Sequence, residues 1–225
     1  VRLLLLPGLN GSNRLFAPLL ACLPSDLPVE CLELPGHGAQ DYPSLANALQ
    51  SRLGTEPFVL LGESFSGPLA RELAQRSPAG LKGVVFAATF ASRPNPLLAL
   101  LRLTPLPPPA LLARSALIRQ FCVDAEASPE LVALIADEIR RMPAALVRAR
   151  LKVLSELSES GAALSSPCLS LIPTKDRLVS RSARTGIAHG CTNIRTRDIA
   201  GPHFLLQSRA EPCARAIVAF LNEVR

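Results

Sequence analysis

Three residues of this 225-residue chain could between them perform nucleophilic acyl chemistry: Ser64, Asp176 and His203. Serine is a poor nucleophile at its free pKa and needs a neighbouring imidazole to take its proton. The imidazole needs a carboxylate that fixes its tautomer and stabilises its protonated form. Each of the three falls just beyond an apolar, strand-like run, and they occur in the order nucleophile, acid, base. Ser64 lies in Val59-Leu60-Leu61-Gly62-Glu63-Ser64-Phe65-Ser66-Gly67, followed at helical spacing by Leu69, Ala70, Leu73 and Ala74. A strand that turns sharply into a helix around a serine leaves its hydroxyl free above the sheet. It also aims the helix N-terminal N–H groups at an oxygen that becomes negative there. Ser66 stands where such turns carry their second glycine, with Gly67 one place later; serine is the least costly replacement.

The chain has three histidines. His37 sits in a turn where the flanking glycines matter more than the imidazole, and His189 is read as part of a polar loop before the last strand. His203 alone follows the last strand, which makes it the expected base. For the acid, Asp198 competes because it is close to His203 in sequence. It belongs to the strand itself, however, where alternation turns it away from the side of Ile199, whereas Asp176 lies in a turn. Asp176 is favoured on that geometry. The expected oxyanion donors are backbone N–H groups: Phe65, next to the nucleophile, and Leu9 in the first loop. Gly8-Leu9-Asn10-Gly11 also reads as a plain tight turn, and the two readings are compatible. Glu63 reads as a spacer and Arg177 as a solvated neighbour of Asp176.

These residues need a scaffold that gathers several strand ends. The leucine run opening the chain predicts a buried strand ending in Pro7-Gly8-Leu9-Asn10-Gly11-Ser12. A helix with Leu15, Phe16, Leu19, Leu20 and Leu23 on one face follows, then a strand over 29–34 and the turn Pro35-Gly36-His37-Gly38. Leu45, Ala48, Leu49 and Leu53 mark a second helix before the strand at 58–61, and 83–88 is another buried strand. Strands alternating with helices at this interval predict a doubly wound, mostly parallel sheet whose ligands sit at the strands' carboxyl ends. From Arg93 to about Ser165 the rhythm breaks. Thr104 to Pro109 excludes helix and sheet locally, and helical stretches are expected at 96–102, 110–121, 129–141 and 144–157. That segment, 93–165, is expected to lie over the site as a lid, with residues 1–92 and 166–225 forming the core. Strands at 168–172 and 193–199 and a helix from about Pro212 complete the chain.

Composition narrows the function classes. Hydrophobic residues make up 48% and charged residues 19%, which describes one globular domain with room for an inserted lobe. No apolar run approaches the ~18–20 residues of a membrane span. The opening apolar run is too short for a signal-peptide core, so a cytoplasmic location is expected. The net charge is +6, but only three of the 24 basic residues are lysines, and the arginines are spread along the chain. With one tyrosine and no tryptophan there is little to stack bases, so nucleic acid is discounted. The six cysteines have neither zinc nor redox spacing and read as reduced core residues; neither cofactor nor metal is expected.

The ordered set resembles the α/β-hydrolase superfamily over nearly the whole chain. The matching residues are Leu6-Pro7-Gly8 in the oxyanion loop, Glu33-Leu34-Pro35-Gly36-His37-Gly38, Gly62-Glu63-Ser64, Asp176-Arg177-Leu178-Val179 and Gly201-Pro202-His203. Departures are Pro7 for the usual histidine, Glu33 for aspartate, Ser66 for glycine and Pro173 for the glycine that often precedes the acid. None removes a group that a Ser-His-Asp triad requires. The family's first two antiparallel strands have no counterpart, so about six parallel strands are expected. Compact size and a helical lid are similar to small bacterial carboxylesterases, including pimeloyl-carrier-protein methyl ester esterases. The resemblance implies a serine esterase working through an acyl-enzyme, acting on a small ester that is free or carrier-protein-bound. Acyl-thioesterase action and non-catalytic ligand binding are the rivals. For the thioesterase, Arg140, Arg141, Arg148 and Arg150 would meet phosphates or acidic helices; otherwise they form a solvated helix face with Asp137 and Glu138.

Overall fold

A computed structural model describes residues 1–96, 98, 108–158 and 161–224. Among these residues six strands form one sheet: β1 (Arg2–Leu6), β2 (Val29–Cys31), β3 (Phe58–Glu63), β4 (Leu81–Ala87), β5 (Cys168–Pro173) and β6 (Ile194–Ile199). The spatial order is β2-β1-β3-β4-β5-β6, and every neighbouring pair is parallel. The expected sheet of about six parallel strands is therefore observed.

The leucine run of β1 is fully buried because both faces of the sheet are covered. Alternation assigns the faces. Leu4, Leu6, Phe58, Leu60, Val84 and Phe86 share one core with residues of α2 (Tyr42–Leu49), α3 (Ser66–Gln75) and α8 (Arg181–His189). Leu3, Leu5, Val59, Leu61, Val85, Ala87, Leu169 and Leu171 share the other with α1 (Ala17–Leu20), α9 (Leu205–Ser208) and α10 (Ala210–Glu223). The edge strand β6 differs: Arg195, Thr196, Arg197 and Asp198 are exposed, which protects an open sheet edge from further pairing.

Between β4 and β5 lie α4 (Pro109–Leu112), α5 (Ser115–Leu117), α6 (Pro129–Arg141) and α7 (Ala144–Glu156). Helix α6 matches its expected bounds because its signals are local. Ser128 caps it by accepting the Leu131 N–H at 3.2 Å, Pro129 opens it, and Arg140 and Arg141 sit in its last turn. The helix expected over 110–121 is instead broken into α4, α5 and a π-helical turn, Ile118–Cys122. Val132, Ile135 and Ala136 pack with Ala113, Ile118 and Val123 in a small core of their own, joined by Leu15. Of the stretch expected to be helical at 96–102, Leu97 and Leu101 lie outside the described residues, as do Thr104 to Pro107 of the proline-rich run.

Two other expectations are corrected. His189 is not in a loop: it is the last residue of α8, a helix whose polar sequence hid a buried stripe of Ala183 and Ile187. Its start was readable, since Ser180 caps it by accepting the Ala183 N–H at 3.3 Å. The second strand stops at Cys31 rather than running to Leu34. Past Leu6 its partner β1 turns into the Pro7–Ser12 loop, and the Leu34 N–H bonds Gly11 O at 2.9 Å instead.

Candidate active site

Ser64 follows β3 directly and precedes α3, and its φ of 47° places it in the left-handed region. A non-glycine residue there is strained by about 1–3 kcal/mol. The surroundings hold it: its N–H donates to Ala87 O at 2.9 Å, and its carbonyl accepts the Thr89 hydroxyl at 2.5 Å and the Gly67 N–H at 3.0 Å. Gly62 and Gly67 permit this close turn. A Cβ on Gly62 would run into the Ser66 carbonyl, and one on Gly67 into Thr89. The displaced glycine thus has a structural reason. Ser66 is fully buried, and its hydroxyl donates to Pro7 O at 2.5 Å, tying the serine turn to the first loop.

Ser64, His203 and Asp176 form one hydrogen-bonded line. Ser64 Oγ lies 2.8 Å from His203 Nε2, and His203 Nδ1 lies 2.8 Å from Asp176 Oδ2. The Asp176 side chain is fully buried. Its other oxygen accepts the Leu178 and Val179 N–H groups at 2.8 and 3.0 Å, so the turn after β5 orients it. Burial alone would raise the Asp176 carboxyl. The His203 charge and hydrogen bond and the two N–H groups outweigh burial and hold it below its ordinary value. An ionised Asp176 accepts from Nδ1–H, which leaves Nε2 free to accept the Ser64 hydroxyl. Asp198, the competing acid, is exposed on β6. His37 is exposed in its turn.

Of the expected oxyanion donors, Leu9 lines the same cavity as Ser64 and His203, and Phe65 is the residue after Ser64. The backbone bonds of the two loops engage the Gly11, Ser64 and Gly67 N–H groups but, among the described residues, neither the Leu9 nor the Phe65 amide. Glu63 is no spacer. It is buried, accepts the Gln207 amide at 2.8 Å, and is pushed up by burial against the opposing pull of Gln207, His203 and the Gly8 N–H. It therefore anchors the first loop from below.

Two charges assigned to a solvated helix face are also buried. Glu138 of α6 accepts from Asn10 Nδ2 at 3.0 Å, from Arg14 Nη1 at 2.5 Å and from the Ser12 hydroxyl. Arg150 of α7 is fully buried among three neutral oxygens: Leu9 O at 2.7 Å, Pro35 O at 3.0 Å and Gln40 Oε1 at 3.0 Å. Helical spacing does set them apart from their exposed neighbours Arg140, Arg141 and Arg148, since Glu138 falls three after buried Ile135 and Arg150 falls between buried Val147 and Leu154, but their polar partners lie more than a hundred residues away in sequence. Arg177 is exposed as expected, and also donates to Gln120 O at 2.8 Å.

The serine opens into a cavity of about 810 Å3, within the range of small-molecule sites. Its wall is mostly apolar, with Phe90, Leu98, Ile135, Ile139, Met142 and Leu151 among the lining residues, and Ser64 and His203 also line it. No group of three or more His, Cys, Asp or Glu residues that could hold a metal ion occurs among the described residues.

Comparison with known proteins agrees with this architecture. Over 93 residues the chain is 34% identical to a pimeloyl-[acyl-carrier protein] methyl ester esterase of Neisseria meningitidis serogroup C. That match covers 39% of this chain and 36% of the relative, so it spans about a third of the relative's length. Among solved structures, a thermophilic esterase from Thermogutta terrifontis superposes with a TM-score of 0.83 at 22% identity, covering 100% of this chain and 90% of that one. The type II thioesterase BorB of the borrelidin biosynthetic cluster superposes with a TM-score of 0.72 at 24% identity, covering 97% and 91%. At such identities the structural likeness is one of fold. The model of the alpha/beta hydrolase family matches residues 3–216. The chain belongs to the alpha/beta hydrolase family.

Proposed function

We propose that this protein hydrolyses carboxylic esters through an acyl-enzyme on Ser64. The observation that carries the reading is the Ser64–His203–Asp176 line at the floor of an apolar cavity. His203 Nε2 takes the Ser64 proton as Oγ attacks the acyl carbon, and returns it to the leaving alcohol. Asp176 holds Nδ1–H and stabilises the imidazolium that forms. The Leu9 and Phe65 amides receive the oxyanion. Water, activated by the same imidazole, then releases the acid and restores Ser64.

The segment 93–165 acts as a lid in this reading, and its apolar side chains receive the acyl chain. The relative in Neisseria meningitidis acts, by its name, on a methyl ester whose acyl group is bound to a carrier protein. A carrier-bound acyl ester is accordingly one substrate to test beside free esters. A panel of nitrophenyl esters and the matching acyl thioesters, with Ser64→Ala as control, tests the proposal. Faster turnover of oxyesters, lost in the variant, supports it. Preferential thioester cleavage would move the assignment to an acyl-thioesterase, and tight ligand binding without turnover would make the protein a receptor.

A further inference from the structure

Arg150 has an unusual position for a cationic side chain. It comes from α7, in the helical segment, yet it is fully buried, and its partners among the described residues are neutral oxygens. A buried charge without a counter-ion is costly unless directed hydrogen bonds satisfy it. Here Nε and both terminal nitrogens are used, on two separate loops: Leu9 in the first loop, and Pro35 and Gln40 in the connection between β2 and α2. The group also lies over the Phe65 ring, 5.7 Å from its centroid, at a distance suited to a cation–π contact. Burial lowers Arg150 to about 10, so it remains charged at neutral pH.

Leu9 and Phe65 are the two residues whose amides the proposed mechanism uses for the oxyanion, and one guanidinium touches both. Gripping the Leu9 carbonyl fixes the backbone that follows the Leu9 amide, and covering the Phe65 ring packs the residue after the nucleophile. Gly11 (φ 78°) is part of the same device, because a Cβ there would strike the guanidinium. We propose that Arg150 is a positioning residue of the oxyanion hole, through which the seating of α7 on the core sets the spacing of the Leu9 and Phe65 donors. The inference rests on the serine-esterase reading above. It means that the helical segment completes the machinery as well as covering the cavity.

The test compares the wild-type protein with Arg150→Ala, Arg150→Lys and Gln40→Leu, using a nitrophenyl ester, a boronic acid as tetrahedral mimic, and the product acid. Misplaced donors should lower kcat on the order of 100-fold while KM stays within about twofold. Boronic acid inhibition should weaken by the same factor and product inhibition should hold. Millimolar ethylguanidinium should restore much of the Arg150→Ala rate. Arg150→Lys keeps the stem and charge but not the three-way fork, so it should show the same split and carries the test should the alanine variant not fold. Gln40→Leu removes one bond of the fork and should lower kcat by a smaller factor than the Arg150 variants, with KM unchanged. A folded Arg150 variant with wild-type kcat, or one that weakens boronic and product acids equally, would overturn the inference alone. A wild-type protein without ester hydrolysis would overturn the esterase reading and this inference with it.

Discussion

At the scale of single residues, the strain at Ser64 and the burial of Asp176 are the two local features that chemistry would exploit. Ser64→Ala should lower kcat by more than about 10^4-fold and abolish labelling by a fluorophosphonate probe, with Tm little changed because alanine keeps the Cβ and with it the backbone strain at φ 47°. Labelling that persisted, or fell on Ser66, would refute the assignment, and peptide mapping would show it. Ser66 is the better control because its hydroxyl is already committed to Pro7 O. Asp176→Asn should cost about 10^4-fold in kcat, since an amide there favours the wrong histidine tautomer. Asp198→Asn, on the exposed edge strand, should cost less than about twofold on the usual scale of surface changes. The reverse ranking in steady-state kinetics would move the acid to β6.

At the scale of elements, helices α6 and α7 are held to the first loop by Glu138 and Arg150, and between them they wall the cavity with Ile135, Ile139, Met142 and Leu151. An acyl chain lying against that wall gains about 0.8 kcal/mol per buried methylene, up to ~4-fold in kcat/KM per carbon until the space is filled. A series of esters from acetyl to decanoyl should therefore rise and then fall. Ile139→Phe should shift the maximum to shorter chains and leave fluorophosphonate labelling intact. A flat series, unaltered by the substitution, would show that the segment takes no part in recognition. The Glu138 contact has its own pH signature. Burial would raise this carboxyl, but the Ser12, Asn10 and Arg14 hydrogen bonds together hold it below its ordinary value of 4.5. Because the folded pKa is depressed, the contact stabilises fully above pH 4.5, and that contribution is lost as pH falls through the folded pKa. The stability gap between wild type and Glu138→Gln, measured by urea unfolding, should be widest at neutral pH and shrink below pH 4.5. A gap independent of pH would mean that the carboxylate's charge is not what holds α6.

At the scale of the whole molecule, these buried contacts link the helical segment to the sheet layers, so the protein should unfold as one unit. Far-ultraviolet circular dichroism and a fluorescent active-site label should give coincident urea transitions. An early separate transition of the label would show the segment melting on its own. What the sequence by itself determined were the features encoded within a few residues: the leucine run of β1, the strand–serine–helix turn, the caps and bounds of α6, and the sheet class that follows from alternating elements. Periodicity and capping are short-range signals, and they survive reading one stretch at a time. The placement of Ser64, Asp176 and His203 at strand ends was legible for the same reason. Only tertiary structure could decide which exposed-looking charges were inside. Arg150 lies on the buried face of its helix with Val147 and Leu154 while Arg148 points the other way, but that a cation is tolerated on the inner face depends on the Leu9 and Pro35 carbonyls that the fold brings to it. The same holds for Glu63, whose partner Gln207 is 144 residues away, and for Ser66, whose hydroxyl finds Pro7 59 residues back. A buried polar group is defined by the partner that satisfies it, and that partner is brought by the fold.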